Sequence, residues 1–317
     1  MKFLHSNETK VLLVLACVLG VLELGARVFE GKLSKDVNHI RSFPSVAATL
    51  KAAPKERLKV LIIGNSLSRD GLDKKLLKTE LAKLSGREVE LAAMHPDASN
   101  ISQWYYGYRR YFDQTDSIPD LIFLGTGRSH LLDAPAESDR LSAFYVSLSD
   151  LPQLLKEQAG DVEAISKAIL ARTSLLFAHR ARVQPLLFYN LVPGYTETTQ
   201  TIAVRREPLK VEAESALVPA SEHCVTFEEL LKTVHAKKSQ VMVVAIPMTE
   251  PYVLPPCVLE SARKENAPVL DAGAAMRFDA SHFPDGYHLD ASGAAEFTEK
   301  LLEVISKNPD LMQALSK

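Results

Sequence analysis

Cysteine is scarce in this 317-residue chain: Cys17, Cys224 and Cys257 are all there are, and the nine histidines are scattered singly. No grouping of these residues has metal-ligand spacing, so no metal site and no cofactor is expected. An excess of one charge is also lacking. Lys and Arg total 37 against 39 Asp and Glu, a net charge of −2, and no basic stripe stands out. That excludes the electrostatic footprint of a nucleic-acid partner. Internal repeats and low-complexity tracts are absent too, so nothing points to a repeat architecture.

Only one stretch is long and apolar. Val11–Phe29 opens with an unbroken apolar run to Leu22, after which Glu23, Gly25 and Arg27 thin it out. About 20 apolar residues span a bilayer as a helix, a length reached here if Glu23 sits near the interface. Three readings are open: an uncleaved signal anchor, a cleaved signal peptide and a buried core helix. The position at the N-terminus, ahead of a polar segment, favours the anchor, with the rest of the chain extracytoplasmic, in a periplasm or at a cell surface. Cys17 falls inside the run and reads as lipid-facing. Cys224 and Cys257 are then either a disulfide pair or two separate thiols.

The chain divides by pattern into residues 1–29 (anchor or signal peptide), 30–57 (a polar, proline-containing linker) and 58–317 (one globular domain). Leu58–Gly64, Glu88–Met94, Asp120–Gly125, Val241–Ile246 and Val269–Asp271 read as short buried parallel strands. Helices are predicted over Lys74–Leu84, Ile101–Phe112 and Ala291–Lys307. Strand and helix alternate, which implies a doubly wound α/β sheet with right-handed crossovers. The interval 131–238 is too long for one crossover. It reads as a mainly helical insertion, with Asp139–Leu155 and Ile165–Leu187 helical and Val192–Val225 lacking periodicity.

Two short blocks carry candidate chemistry. Gly64-Asn65-Ser66-Leu67 follows the first strand, so Ser66 falls at the carboxyl edge of the sheet, where open α/β folds bind ligands. Backbone N–H groups of the following turn are positioned to stabilise an oxyanion there. A serine at that point equally suits a helix cap. Phe283-Pro284-Asp285-Gly286-Tyr287-His288-Leu289 precedes the last helix. A serine nucleophile needs an adjacent base, and a neutral histidine oriented by a carboxylate supplies it. Asp285 and His288 are three residues apart across a glycine-containing turn.

Together these blocks resemble those of the SGNH, or GDSL-type, hydrolase superfamily. Gly64-Asn65-Ser66-Leu67 matches its Gly-Asp-Ser-Leu block, with Asn65 in place of the Asp. Asp285-Gly286-Tyr287-His288 matches its C-terminal Asp-x-x-His block. The resemblance implies a three-layer flavodoxin-like fold, with Ser66 as nucleophile, His288 as base and Asp285 as its orienter. The N-terminal apolar run and the Leu170–Tyr195 stretch look more like the membrane-tethered branch, which includes alginate-type O-acetyltransferases and the D-alanyl transfer protein. The implied activity is serine-dependent acyl transfer or ester hydrolysis on an extracytoplasmic carbohydrate. Implied partners are a glycan or lipid-linked sugar acceptor, a membrane acyl-donor protein, and the membrane itself through the N-terminal helix.

The family pattern also calls for a glycine after the second strand and an asparagine after the third, both oxyanion donors. Here the loops read His95-Pro96-Asp97-Ala98-Ser99-Asn100 and Gly125-Thr126-Gly127-Arg128. Asn100 and Gly127 are the nearest stand-ins. Arg128 is either a charge stabiliser or half of a surface ion pair, and His95 and His130 are candidates for the pocket rim. Trp104, Tyr105, Tyr106, Tyr108 and Tyr111 circle one helix and read as packing rather than a sugar platform. A catalytically silent domain that binds glycan or an envelope partner is the alternative function.

Overall fold

The computed structural model describes residues 7–33, 35–134, 137–180, 183, 192–195, 198, 223–271 and 276–316. The chain divides into two compact units. One comprises Met1–Asn38 with Glu137–Val218, the other His39–Ala136 with Pro219–Lys317.

The second unit holds the sheet. Its strands are β1 (Leu58–Ile63), β2 (Val89–Met94), β3 (Leu121–Thr126), β4 (Gln240–Ala245) and β5 (Val269–Leu270). All pair in parallel, in the order β2-β1-β3-β4-β5. Every residue of β3 is buried, and so is all of β1 but Lys59. That double-faced burial is what continuous Val/Ile/Leu runs dictate in a sheet covered on both sides. The order reverses between β1 and β3, so the connections leaving these two parallel strands run to opposite sides, one to β2 and one to β4, and leave a crevice at their carboxyl ends. Helix Lys74–Ser85 and helix Ala291–Lys307 pack together: Leu77, Leu81, Phe297, Leu301 and Ile305 join one cluster with β1 and β3 residues.

The 30–57 segment is not a polar linker. Lys35–Ala52 is a helix despite an internal, exposed Pro44. Within the second unit Ile40, Phe43, Ala47 and Leu50 form a buried stripe, and Phe43 meets Tyr111 edge-on at 5.5 Å. Burying each large member of such a stripe gains about 1.5–3 kcal/mol, enough to outweigh the hydrogen bond a proline removes. Cys224 and Cys257 form a disulfide, tying helix Val225–Ala236 to helix Pro256–Lys264.

In the first unit, helix Asn7–Leu33 contains one span long and apolar enough to cross a membrane, Asn7–Lys32, at mean hydropathy 2.3 and almost entirely exposed. Its Glu23 is half-buried and caps the short helix Leu175–Ala178. The carboxylate accepts the N–H groups of Leu175 and Leu176, each at 3.0 Å, and the Ser174 hydroxyl at 2.8 Å. One helix predicted over Ile165–Leu187 is instead Val162–Thr173 followed by a break at Ser174. Residues 181, 182 and 184–187 of that prediction, and most of the aperiodic Val192–Val225, lie outside the described residues.

Candidate active site

Ser66 opens a six-residue helix, Ser66–Gly71, directly after β1. Two glycines make room for it. A methyl on Gly64 would lie 2.6 Å from the Gly125 carbonyl, and one on Gly125 would lie 2.5 Å from the Ser68 Cβ. Ser68, fully buried, fills the space between the ends of β1 and β3 and donates its hydroxyl to the Asn65 carbonyl at 2.9 Å. Asn65 is the helix cap: its carboxamide oxygen accepts the Leu67 N–H at 3.0 Å. Its amide nitrogen donates to the Ser99 carbonyl at 3.1 Å, binding the β1 loop to the β2 loop.

His288 and Asp285 sit in the loop before helix Ala291–Lys307. The Asp290 N–H closes this loop onto the His282 carbonyl at 2.7 Å, and Asp290 caps the helix by accepting the Gly293 N–H. Gly286 takes a left-handed φ of 78°, which turns the chain between the two side chains. The Asp285 carboxylate accepts backbone N–H groups from Tyr287 at 2.9 Å and His288 at 2.7 Å. Its other oxygen faces His288 Nδ1 at 2.6 Å. The backbone N–H of His288, then its ring, then the N–H of Tyr287 hold the Asp285 carboxyl well below the usual carboxylate range. An ionised Asp285 only accepts, so the His288 proton is on Nδ1 and Nε2 is the acceptor. That Nε2 lies 2.9 Å from the Ser66 hydroxyl, which donates to it. Ser66, more than 200 residues away in sequence, thus joins His288 and Asp285 in one continuous hydrogen-bond chain.

The other candidates are placed differently. Asn100 is the cap of helix Ile101–Tyr108: its side chain accepts the Ser102 N–H at 3.1 Å, and its own N–H donates to Gln103 at 3.0 Å. The Gly127 N–H donates to His130 Nδ1 at 3.0 Å, so it is not open to an oxyanion. Arg128 is exposed and pairs with Glu250 at 3.9 Å, a surface contact of little energetic weight. His95 is buried, stacked on His39 with ring centroids 4.5 Å apart, and donates its backbone N–H to His39 Nε2. Burial, reinforced by Lys74 and His39, pushes its pKa down to about 3. Trp104, Tyr105, Tyr106, Tyr108 and Tyr111 are all buried packing residues.

Sequence reasoning did not find the second set of supports. Thr249 donates its hydroxyl to the Gly286 carbonyl, joining the β4 loop to the His288 loop. Tyr252 donates its hydroxyl to the Thr126 and Ile246 carbonyls at 3.0 and 2.6 Å.

No protein-family model and no curated protein matches the chain. Among solved structures it is similar to a candidate acylhydrolase from Bacteroides fragilis, at 10% identity and TM-score 0.41 over 87% of this chain and 96% of that one. It is similar also to a lipase/acylhydrolase from Enterococcus faecalis, at 12% identity and TM-score 0.37 over 78% and 95%. A variant of an acetyl xylan esterase from Geobacillus stearothermophilus follows, at 10% identity and TM-score 0.41 over 80% and 95%. Likeness at these values tells nothing of substrate or reaction, so both are read from the residues.

Proposed function

We propose that this chain is a membrane-anchored serine acyl-transfer enzyme of the SGNH type, acting outside the cytoplasm and moving a short acyl group to a carbohydrate hydroxyl. The hydrogen-bond chain Ser66–His288–Asp285 carries the reading. Ser66 Oγ attacks an ester carbonyl as His288 Nε2 takes its proton, and Asp285 stabilises the imidazolium that forms. Collapse of the tetrahedral adduct expels the alcohol, which takes the proton back from His288, and leaves an acyl-Ser66. A second hydroxyl, deprotonated by His288, then accepts the acyl group and regenerates Ser66.

Location and acceptor rest on separate supports. The exposed apolar helix suits an anchor, and a Cys224–Cys257 disulfide suits an oxidising compartment. A groove of about 460 Å³ is lined half by charged side chains, Arg69, Asp70, Asp73 and Lys74, and half by apolar ones, Leu289 among them. Arg69 follows Ser66 by three residues, roughly 4.5 Å along the helix axis, and Leu289 adjoins His288. A lining that is half charged and half apolar suits a sugar, whose hydroxyls meet the charged side chains and whose ring faces meet the apolar ones.

A second reading, a silent binding domain, draws on one observation: the Gly127 N–H is committed to His130. Labelling with a fluorophosphonate separates the two. The active-site reading expects the wild-type protein to be modified at Ser66 and S66A to be inert. A wild-type protein that does not react, or an S66A protein that reacts as well, sinks it.

A further inference from the structure

An acyl-transfer serine needs donors aimed at the oxygen that becomes negative, and removing one costs about 10²–10³ in kcat. The Ser66 N–H, in the first turn of its helix, has no intrahelical acceptor and is one such donor. The backbone N–H groups of Asn100 and Gly127 are both engaged elsewhere.

The side chain that engages Gly127 is itself a donor. His130 Nδ1 accepts the Gly127 N–H, so the ring proton sits on Nε2. Among the described residues that Nε2–H has no hydrogen-bond partner. The ring is fixed from several sides. The Ile101 N–H donates to the His130 carbonyl at 2.8 Å, and the Trp104 ring lies with its centroid 6.3 Å from the imidazole. Gly127 touches both His130 and the residue after the nucleophile. A methyl there would be 3.0 Å from His130 Nδ1 and 2.8 Å from Leu67 Cδ1. Trp104 Nε1 in turn donates to Ser99 Oγ at 2.8 Å, and the Ser99 carbonyl accepts from Asn65. Contacts thus run from Asn65 through Ser99, Trp104, His130 and Gly127 to Leu67, bracketing Ser66 from the β2 and β3 loops. His288 reaches Ser66 from the loop after β5.

We propose that His130, through its Nε2–H, is the second oxyanion donor for the Ser66 adduct, in the place where the family pattern has an asparagine. The ring gives a hydrogen bond and keeps its proton throughout. Desolvation brings its pKa down to about 4, so it is neutral where His288 acts as a base. A neutral imidazole donor needs no counter-ion in a site already half-closed to water. The proposal rests on the serine acyl-transfer reading, and its test keeps the two apart.

The test compares H130F, which keeps a ring without the N–H, and H130Q, which restores a donor, in the full-length protein with a small acetyl ester and a fluorophosphonate. The expected result is a fall in kcat of about 10²-fold or more for H130F with KM little changed, a parallel fall in labelling rate, and partial recovery in H130Q. A folded H130F protein with wild-type kcat and labelling overturns the proposal and leaves the serine reading standing. A wild-type protein that fails to label at Ser66 overturns both. Should H130F not fold, the wild-type protein decides. The His130 Nε2–H nitrogen resonance is expected to shift when Ser66 is phosphonylated, and a resonance that does not move overturns the proposal.

Discussion

Asp285 grips His288 twice, accepting its backbone N–H at 2.7 Å with one carboxylate oxygen and its ring N–H at 2.6 Å with the other. The first bond fixes where the loop turns and the second fixes which ring nitrogen is free for Ser66. In D285N the amide presents a donor to one of two sites that already donate. The ring is then pushed towards the wrong tautomer, and kcat is expected to fall by about 10⁴-fold with KM little affected. Because Asp285 stays ionised well below the usual carboxylate range, activity of the wild type lost between pH 6 and 4 is expected to reflect other groups. A D285N protein with turnover near wild type removes Asp285 from the mechanism.

Asn65 stands where the family block has aspartate, and the hydrogen bonds explain the exchange. Its oxygen caps the Ser66 helix while its nitrogen donates to the Ser99 carbonyl, and only 3% of the residue is exposed. An aspartate keeps the cap but turns an oxygen on the carbonyl. N65D is expected to destabilise the fold by about 1–3 kcal/mol, the cost of an unsatisfied buried acceptor. It is also expected to lower turnover, since the β2 loop loses its tie to the nucleophile. Urea midpoints and kcat measured together check this; unchanged values for both contradict it.

Much of this site is legible in sequence because it is local. Gly64 to Leu67 follows an apolar strand, and Asp285 to His288 precedes a capped amphipathic helix, so topology alone puts both at one edge. What sequence does not reveal depends on contacts between distant loops. The role of His130 needs the Gly127 N–H, and Asn65 needs the Ser99 carbonyl. Helix Lys35–Ala52 is hidden for a different reason. Pro44 is a strong local breaker, and the buried stripe of Ile40, Phe43, Ala47 and Leu50 that overrides it gains its energy from packing, not from propensity.

His95 is expected to make folding sensitive to acid. Its pKa is about 3 when folded, against 6.5 for the free side chain, because burial, Lys74, His39 and Arg69 all disfavour the charged ring. Between those values the unfolded chain binds a proton that the folded chain does not. Stability is therefore complete above about pH 6.5 and falls as pH drops, by about 1.4 kcal/mol per unit for this group. From pH 6.5 to 5 the loss is about 2 kcal/mol, and H95Q is expected to remove it. Denaturant melts of both proteins across that range decide the matter; equal slopes exclude His95 as the source.

The partition between water and a sugar hydroxyl is the last expectation. Once Ser66 carries an acyl group, His288 activates whichever nucleophile lies against it. Water is present at roughly 55 M, but a bound, oriented hydroxyl reaches effective molarities of about 10⁵ M or more. A filled acceptor groove therefore wins by positioning alone. Anchoring adds to this, because an enzyme held at the membrane meets a membrane-bound donor at raised local concentration. Given an activated acetyl ester and a series of oligosaccharides, the full-length protein is expected to form acetylated sugar at the expense of free acetate. R69A and K74A are expected to raise the fraction lost to water, while fluorophosphonate labelling of Ser66 is unchanged, since both side chains line the groove and neither touches the triad. Fast acetate release that no sugar diverts makes the protein a hydrolase.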